Sequence, residues 1–62
     1  MTNPTVGTIV TLNRSGATLY ARIDSDVVHT IGGRLGLLAS EVDYNGTDMH
    51  SSIFAQLDTI NR

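Results

Sequence analysis

The stretch "ATLYARI", residues 17 to 23, decides the fold because it has the clearest two-residue period in the chain. Small and apolar side chains alternate there with Thr, Tyr and Arg, which is typical of a β-strand with one buried face. The preceding run, "VGTIVTL" at 6–12, alternates as well, and the polar segment "NRSG" at 13–16 separates the two runs. A polar segment ending in glycine is a typical turn. We therefore predict an antiparallel hairpin with a four-residue loop, whose inward side chains are Val6, Thr8, Val10, Leu12, Ala17, Leu19, Ala21 and Ile23.

The middle of the chain reads as shorter β-elements separated by turns. A bend at 24–26 leads into a β-branched run at 27–31, which we expect to be an edge strand, and Gly32-Gly33 follows it. Residues 34–44 fit a helix or a strand, and Gly36 together with the terminal Asn45-Gly46 favours the strand. Asn-Gly after an apolar run is a strong hairpin signal.

The C-terminal segment 51–60 is ambiguous as well. Ile53, Phe54, Leu57 and Ile60 have the spacing of an amphipathic helix, whereas Ile53, Ala55, Leu57 and Thr59 alternate as in a strand. A strand, one helical turn near 53–56 and a final strand satisfy both patterns. The expected fold class is therefore mostly β: a small antiparallel β-barrel or sandwich, with an SH3-like barrel leading and one short helical turn near the C-terminus. Residues 1–5 are expected to form a flexible N-terminal arm, and 6–62 a single small β domain.

Length and cysteine content indicate that the chain needs a partner. A chain of 62 residues buries only about 60% of the surface that its unfolded form exposes, so its core is marginal. Domains of this size commonly rely on disulfides, a structural metal or another subunit. The chain has no cysteine, so disulfides and cysteine-based zinc sites are excluded. We expect self-association as a homo-oligomer, docking onto a larger protein assembly, or both.

Charge and hydropathy argue against several other partners. The chain contains four Arg or Lys residues and six Asp or Glu residues, which gives a net charge of −2. Nucleic-acid binding draws on a cluster of cations that contacts about 6–10 phosphates, so a nucleic-acid partner is not expected. No apolar run approaches the length of a membrane span, and the N-terminus lacks the features of a signal peptide. We expect a chain that is soluble and intracellular at synthesis and has no membrane partner.

The stretch "EVDYNGTDMHSS", residues 41 to 52, contains most of the residues with potential chemistry. Its acids are too few, and wrongly spaced, for a calcium loop. A cross-strand pair of Asp43 and His50 could form an acid/base element. His50, Ser51 and Ser52, however, do not have the spacing of a catalytic serine and its base. We interpret the stretch as a turn, and we predict no catalytic residues, no metal site and no cofactor.

Two surface features have functional interpretations. The segment "GGRLG" could present backbone N–H groups beside an arginine, so Gly32, Gly33, Arg34 and Arg22 are candidate anion-binding residues; the alternative is a tight loop with a solvated arginine. Apolar side chains on faces that the pattern leaves partly outward are interface candidates: Ile9, Leu38, Ile53 and Val28.

These observations favour a non-enzymatic role. The leading hypothesis is a structural or assembly subunit that oligomerises or docks on a larger assembly, for example a virion-associated decorating or tail component of a phage-like particle. The alternative is a small binding module that sequesters an anionic ligand at the arginine and glycine loop, or inhibits a host protein.

Overall fold

The computed structural model describes residues 3–61, and these form five β-strands and one short 3-10 turn. The strands are β1 (Ile9–Arg14), β2 (Ala17–Ile23), β3 (His29–Ile31), β4 (Arg34–Val42) and β5 (Asp48–Gln56), and the 3-10 turn is Leu57–Thr59. All strand pairs are antiparallel. The prediction of a mostly β protein with one helical turn near the C-terminus is confirmed.

The long strand β4 organises the sheet. Strand β5 pairs with β4 from Gly36 to Val42, β2 pairs with its second half, and β3 pairs with its first three residues. Since β5 lies on one edge of β4, β2 and β3 share the other edge, and β1 extends the sheet beyond β2. No strand pair joins β5 to β1 among residues 3–61, so the sheet is not closed. The barrel, sandwich and SH3-like forms of the prediction are not confirmed.

The first hairpin is present, but its loop is shorter than predicted. Arg14 pairs directly with Ala17, so only Ser15 and Gly16 connect the strands. Both have positive φ, 52° and 81°, as the two-residue turns that match the twist of a hairpin require. The predicted four-residue loop was wrong because Asn13 and Arg14 stay in the ladder.

The core lies on one face of the sheet and is made of small and medium-sized side chains. Ala21, Ile23, Leu37 and Ala55 are fully buried, and the remaining members of the core cluster are Leu12, Ala39 and Ile60. The inward phase predicted for β2 and for Leu12 is confirmed. Val6 and Thr8 are exposed and precede β1, so their assignment to the inward face of a strand was wrong. Three alanines in this cluster contribute little apolar area, and the hydrophobic stabilisation comes mainly from the Leu and Ile side chains, at about 1.5–3 kcal/mol for each fully buried one.

The remaining predictions for strands and turns were partly wrong. The edge strand expected at 27–31 is limited to His29–Ile31. The helical turn lies at Leu57–Thr59 rather than 53–56, which belongs to β5, because pairing with β4 keeps these residues extended. The expected final strand is reduced to one bridge between Ile60 and Leu12, beside a hydrogen bond from Asn61 N to Thr11 O.

The segment before β1 is held by backbone hydrogen bonds. Gly7 N donates to Ile23 O, Ile23 N donates to Thr8 O, and Thr8 N donates to Thr5 O. Of the arm predicted at 1–5, residues 1 and 2 lie outside the described residues, whereas Asn3 and Pro4 are half-buried. Within 3–61 the structure contains no helix of the length and apolarity that crossing a membrane requires.

Candidate functional site: the outer face of the sheet

The face of β4 that turns away from the core carries an apolar patch. Since Leu37 and Ala39 point into the core, the alternation of a strand places Gly36, Leu38 and Ser40 on the opposite, outer face. Directly opposed residues share a face, so Phe54, which pairs with Leu38, is also outward. Ile31, which pairs with Arg34, belongs to the same face. We call Ile31, Leu38 and Phe54 the outer patch.

Two members of the outer patch are well exposed. Ile31 has 54% and Leu38 has 40% of its surface exposed, whereas Phe54 is half-buried. The Phe54 ring is partly covered because it lies on Gly36: a Cβ atom at Gly36 would come within 2.6 Å of Phe54 Cζ. The absence of a side chain at Gly36 therefore leaves room for the Phe54 ring against β4, and the patch has an aromatic centre.

Carboxylates and an arginine border the outer patch on the Ser40 side. Arg22 Nε lies 3.6 Å from Asp24 Oδ1, and Arg22 Nη2 lies 3.7 Å from Asp48 Oδ2. The Ser40 hydroxyl donates to Asp24 Oδ2, so this group is anchored on β4. We call Arg22, Asp24 and Asp48 the acidic cluster, because two carboxylates and one guanidinium leave a formal charge of −1. Its carboxylate side chains remain about two-fifths exposed.

The other border of the outer patch carries a positive charge. Arg34 Nη1 donates to Gln56 Oε1 over 3.1 Å, and this neutral amide holds the side chain in place. Among residues 3–61, no carboxylate lies within salt-bridge distance of Arg34. The outer face is therefore polarised, with Arg34 at one end of an apolar patch and the acidic cluster at the other.

The candidate anion-binding residues do not all come together. Gly33 and Arg34 border a surface groove whose other lining residues are Leu35, Gln56, Leu57 and Asp58. Arg22 lies opposite Ser40, which is six residues from Arg34 along β4 and thus about 20 Å away. Arg22 also forms ion pairs with the two carboxylates of the acidic cluster. Gly32 forms the β3–β4 turn with Gly33, so the two glycines and Arg34 remain together and Arg22 is separate from them.

The interface candidates are mostly outward. Ile9, Leu38 and Val28 have 49%, 40% and 39% of their surface exposed. Ile53 was wrongly assigned to the outer face, because it pairs with Ala39 and packs against the core. Sequence reasoning missed Ile31, whose outward position follows only from its pairing with Arg34 across the two-residue turn.

The stretch 41–52 forms a turn followed by a bulge, as its interpretation as a turn implies. Asp43 Oδ1 accepts hydrogen bonds from Asn45 N and Thr47 N, and Asp43 O accepts one from Gly46 N. The Asp43 carboxylate therefore holds the turn together. The cross-strand pair of Asp43 with His50 is not formed, and His50 N instead donates to Asp48 Oδ1.

A bulge in β5 changes the register between β4 and β5 within this hairpin. Glu41 pairs with Ser51 but Val42 pairs with Asp48, so Met49 and His50 are extra residues in β5. His50 has a φ of 57°, which is uncommon outside glycine, and the Asp48 carboxylate stabilises this conformation through the His50 N–H group. The described residues contain no group of three or more His, Cys, Asp or Glu side chains that could hold a metal ion.

Comparison with protein-family models, with curated proteins and with solved structures gives no significant match.

Proposed function

We propose that this protein is a non-enzymatic assembly subunit, which associates with copies of itself or docks on a larger protein assembly through the outer face of its sheet. The observation that carries this proposal is the outer patch: Ile31 and Leu38 expose large apolar side chains on the same face of the sheet as Phe54. Exposed apolar side chains grouped on one face are typical of interaction sites.

The size of the core supports the same proposal. The chain has no disulfide, and three of the seven residues in the core cluster are alanines. A core this small leaves little excess stability over the entropy of ordering the chain. Covering the outer patch would add buried apolar area, at about 25 cal/mol per Å² before the cost of association is subtracted. Assembly would therefore add to the stability that this small core provides.

The architecture that we propose with this function is a small SH3-like barrel. The bridge between Ile60 and Leu12 supports it, as does the hydrogen bond from Arg14 Nη2 to Phe54 O. Both bring the end of the chain and the edge of β5 towards β1. A decorating or tail component of a phage-like particle is the kind of assembly that we propose, on the basis of the short chain and its low charge.

The melting temperature at different protein concentrations tests the assembly function. When folding is linked to association, mass action raises the melting temperature with concentration. Leu38→Glu should reduce this dependence because it puts a charge into the contact. Thr18→Glu is the matched control, since Thr18 shares the outer face but lies at the β1–β2 turn. Equal concentration dependence in both variants would contradict a contact through the outer patch.

A second candidate function is the binding of a small anion, and the groove beside the β3–β4 turn favours it. The groove combines Arg34 with the backbone of Gly33, and its other lining residues include the apolar Leu35 and Leu57 and the carboxylate of Asp58. Titration with inorganic phosphate, followed by amide chemical shifts, tests this candidate. Shifts at residues 32–35 that disappear in Arg34→Gln would support it. Shifts that are weak and unchanged in that variant would exclude it.

A further inference from the structure

The two charged ends of the outer face lie at equal distances from the centre of the patch. Arg34 and Ser40 are each three residues from Leu37 on β4, and thus about 10 Å from it in opposite directions. Asp24 is hydrogen-bonded to Ser40 and therefore marks the second position. Between them lie Gly36 and Leu38, with the Phe54 ring against Gly36 and the half-buried His29 paired with Gly36 on the same face.

A two-fold rotation turns this arrangement into a self-complementary surface. An axis that runs parallel to the sheet and perpendicular to β4, above the outer face at the level of Leu37, exchanges the level of Arg34 along the strand with the level of Ser40 and Asp24. It also places the Leu38 side chain of one copy over Gly36 and Phe54 of the other. Interfaces of two-fold dimers are isologous, which means that the same surface must complement itself.

We propose that two copies of this chain pair through their outer patches about such an axis, and that Arg34 of each copy forms an ion pair with Asp24 of the other. This inference rests on the proposed assembly function and names its partner as a second copy. The apolar centre supplies the buried area, and the ion pairs fix the orientation. Two pairs form in each dimer because the axis repeats the contact.

The charges explain why a second copy fits better than an unrelated protein. Arg34 has a neutral partner in Gln56, whereas the acidic cluster retains a formal charge of −1. Both halves of a complementary pair are thus present on the same face of one chain. A second copy therefore offers each of these charges its complement, at matching distances from the centre.

Mixing two charge-reversal variants tests the inference. Homodimers of Arg34→Glu would oppose two carboxylates, and homodimers of Asp24→Arg would oppose two guanidinium groups, so each variant alone should dimerise at least about tenfold more weakly than wild type. In an equimolar mixture, the heterodimer has two ion pairs. In one of them the two substituted side chains face each other with their charges exchanged, and the other is the wild-type pair of Arg34 and Asp24. The heterodimer should therefore bind within about threefold of the wild-type dimer. Native mass spectrometry separates the three species.

Conservative variants provide a second test in case a charge reversal disturbs folding. Arg34→Gln and Asp24→Asn remove the charges, and the asparagine keeps an oxygen that can accept from Ser40. Each should weaken the dimer, and the double variant should weaken it no further than the stronger single one. Sedimentation equilibrium measures the three dissociation constants.

The outcomes separate this inference from the assembly function. A wild-type protein that is monomeric and binds no other chain overturns both. A wild-type dimer that neither single variant weakens, or singles whose effects add fully without rescue in the mixture, overturns the two-fold Arg34–Asp24 contact and leaves the assembly function intact.

Discussion

The ring of Phe54 occupies the space where Gly36 has no side chain. A Cβ atom at Gly36 would lie 2.6 Å from Phe54 Cζ and 2.7 Å from the backbone oxygen of Ala55. The aromatic ring thus compensates for a glycine in the middle of a strand, where glycine otherwise weakens the sheet. This contact contributes to the packing of β4 on β5 and forms the aromatic centre of the outer face.

Gly36→Ala should destabilise the fold by about 1–3 kcal/mol, because the added methyl group forces the ring and the backbone apart. Phe54→Ala would remove the contact with the ring but not the contact with Ala55 O. The double variant should therefore remain less stable than Phe54→Ala alone. Urea unfolding of the three variants measures these differences, and a Gly36→Ala variant as stable as wild type would contradict the packing described.

The two faces of β2 should respond differently to an introduced carboxylate. Ala21 is fully buried in the core, whereas Thr18 is exposed on the same strand. Ala21→Asp should cost at least about 3 kcal/mol or prevent folding, because the carboxylate has no partner in the core. Thr18→Asp should change the free energy of unfolding by less than about 0.5 kcal/mol. Similar losses in both variants would show that the phase of β2 is wrong.

Gly46 should resist β-branched substitution. Its φ is 88°, and a Cβ atom there would lie 3.1 Å from Ile9 Cδ1. Gly46→Val should cost about 1–3 kcal/mol from the backbone alone. Gly46→Asn should cost less, since asparagine tolerates positive φ. Thermal unfolding of both variants, repeated in an Ile9→Ala background, separates the steric part from the backbone part; equal stability of the two variants would contradict the turn geometry.

The strands with strict alternation were predictable from the sequence. In 17–23 the apolar residues all fall on one face, and the structure places Ala21 and Ile23 in the core. Local patterns also located the turns at Gly32-Gly33 and near Asn45-Gly46. In each case a short-range requirement, either alternation or positive φ, fixes the structure independently of the rest of the chain.

The features that depend on pairing between distant residues were not predictable. The bulge at Met49 and His50 shifts the register of β5, and the sequence gives no signal for it. Ile53 faces the core because it pairs with Ala39, and that pairing joins two segments whose alignment the sequence alone does not give. Tyr44 belongs to the segment 34–44 for which a strand was favoured, but it lies in the turn after β4 and is 77% exposed.

The same dependence limits what the sequence indicates about the site. It identified Arg34 and Leu38, but their relation to Asp24 and Phe54 arises only when β2 and β5 pair with β4. Conversely, the sequence grouped Arg22 with Arg34, and the sheet separates them. A polarised outer face is a property of the register, and no single segment contains it.

Sedimentation velocity of the purified chain over about a hundredfold range of concentration tests self-association through the outer patch most directly. We predict a species of twice the 6.7 kDa chain mass at high concentration, which dissociates on dilution. The Leu38→Glu variant should remain monomeric over the same range, and Thr18→Glu should behave as wild type. A wild-type protein whose mass from sedimentation is 6.7 kDa at every concentration would contradict self-association through this face.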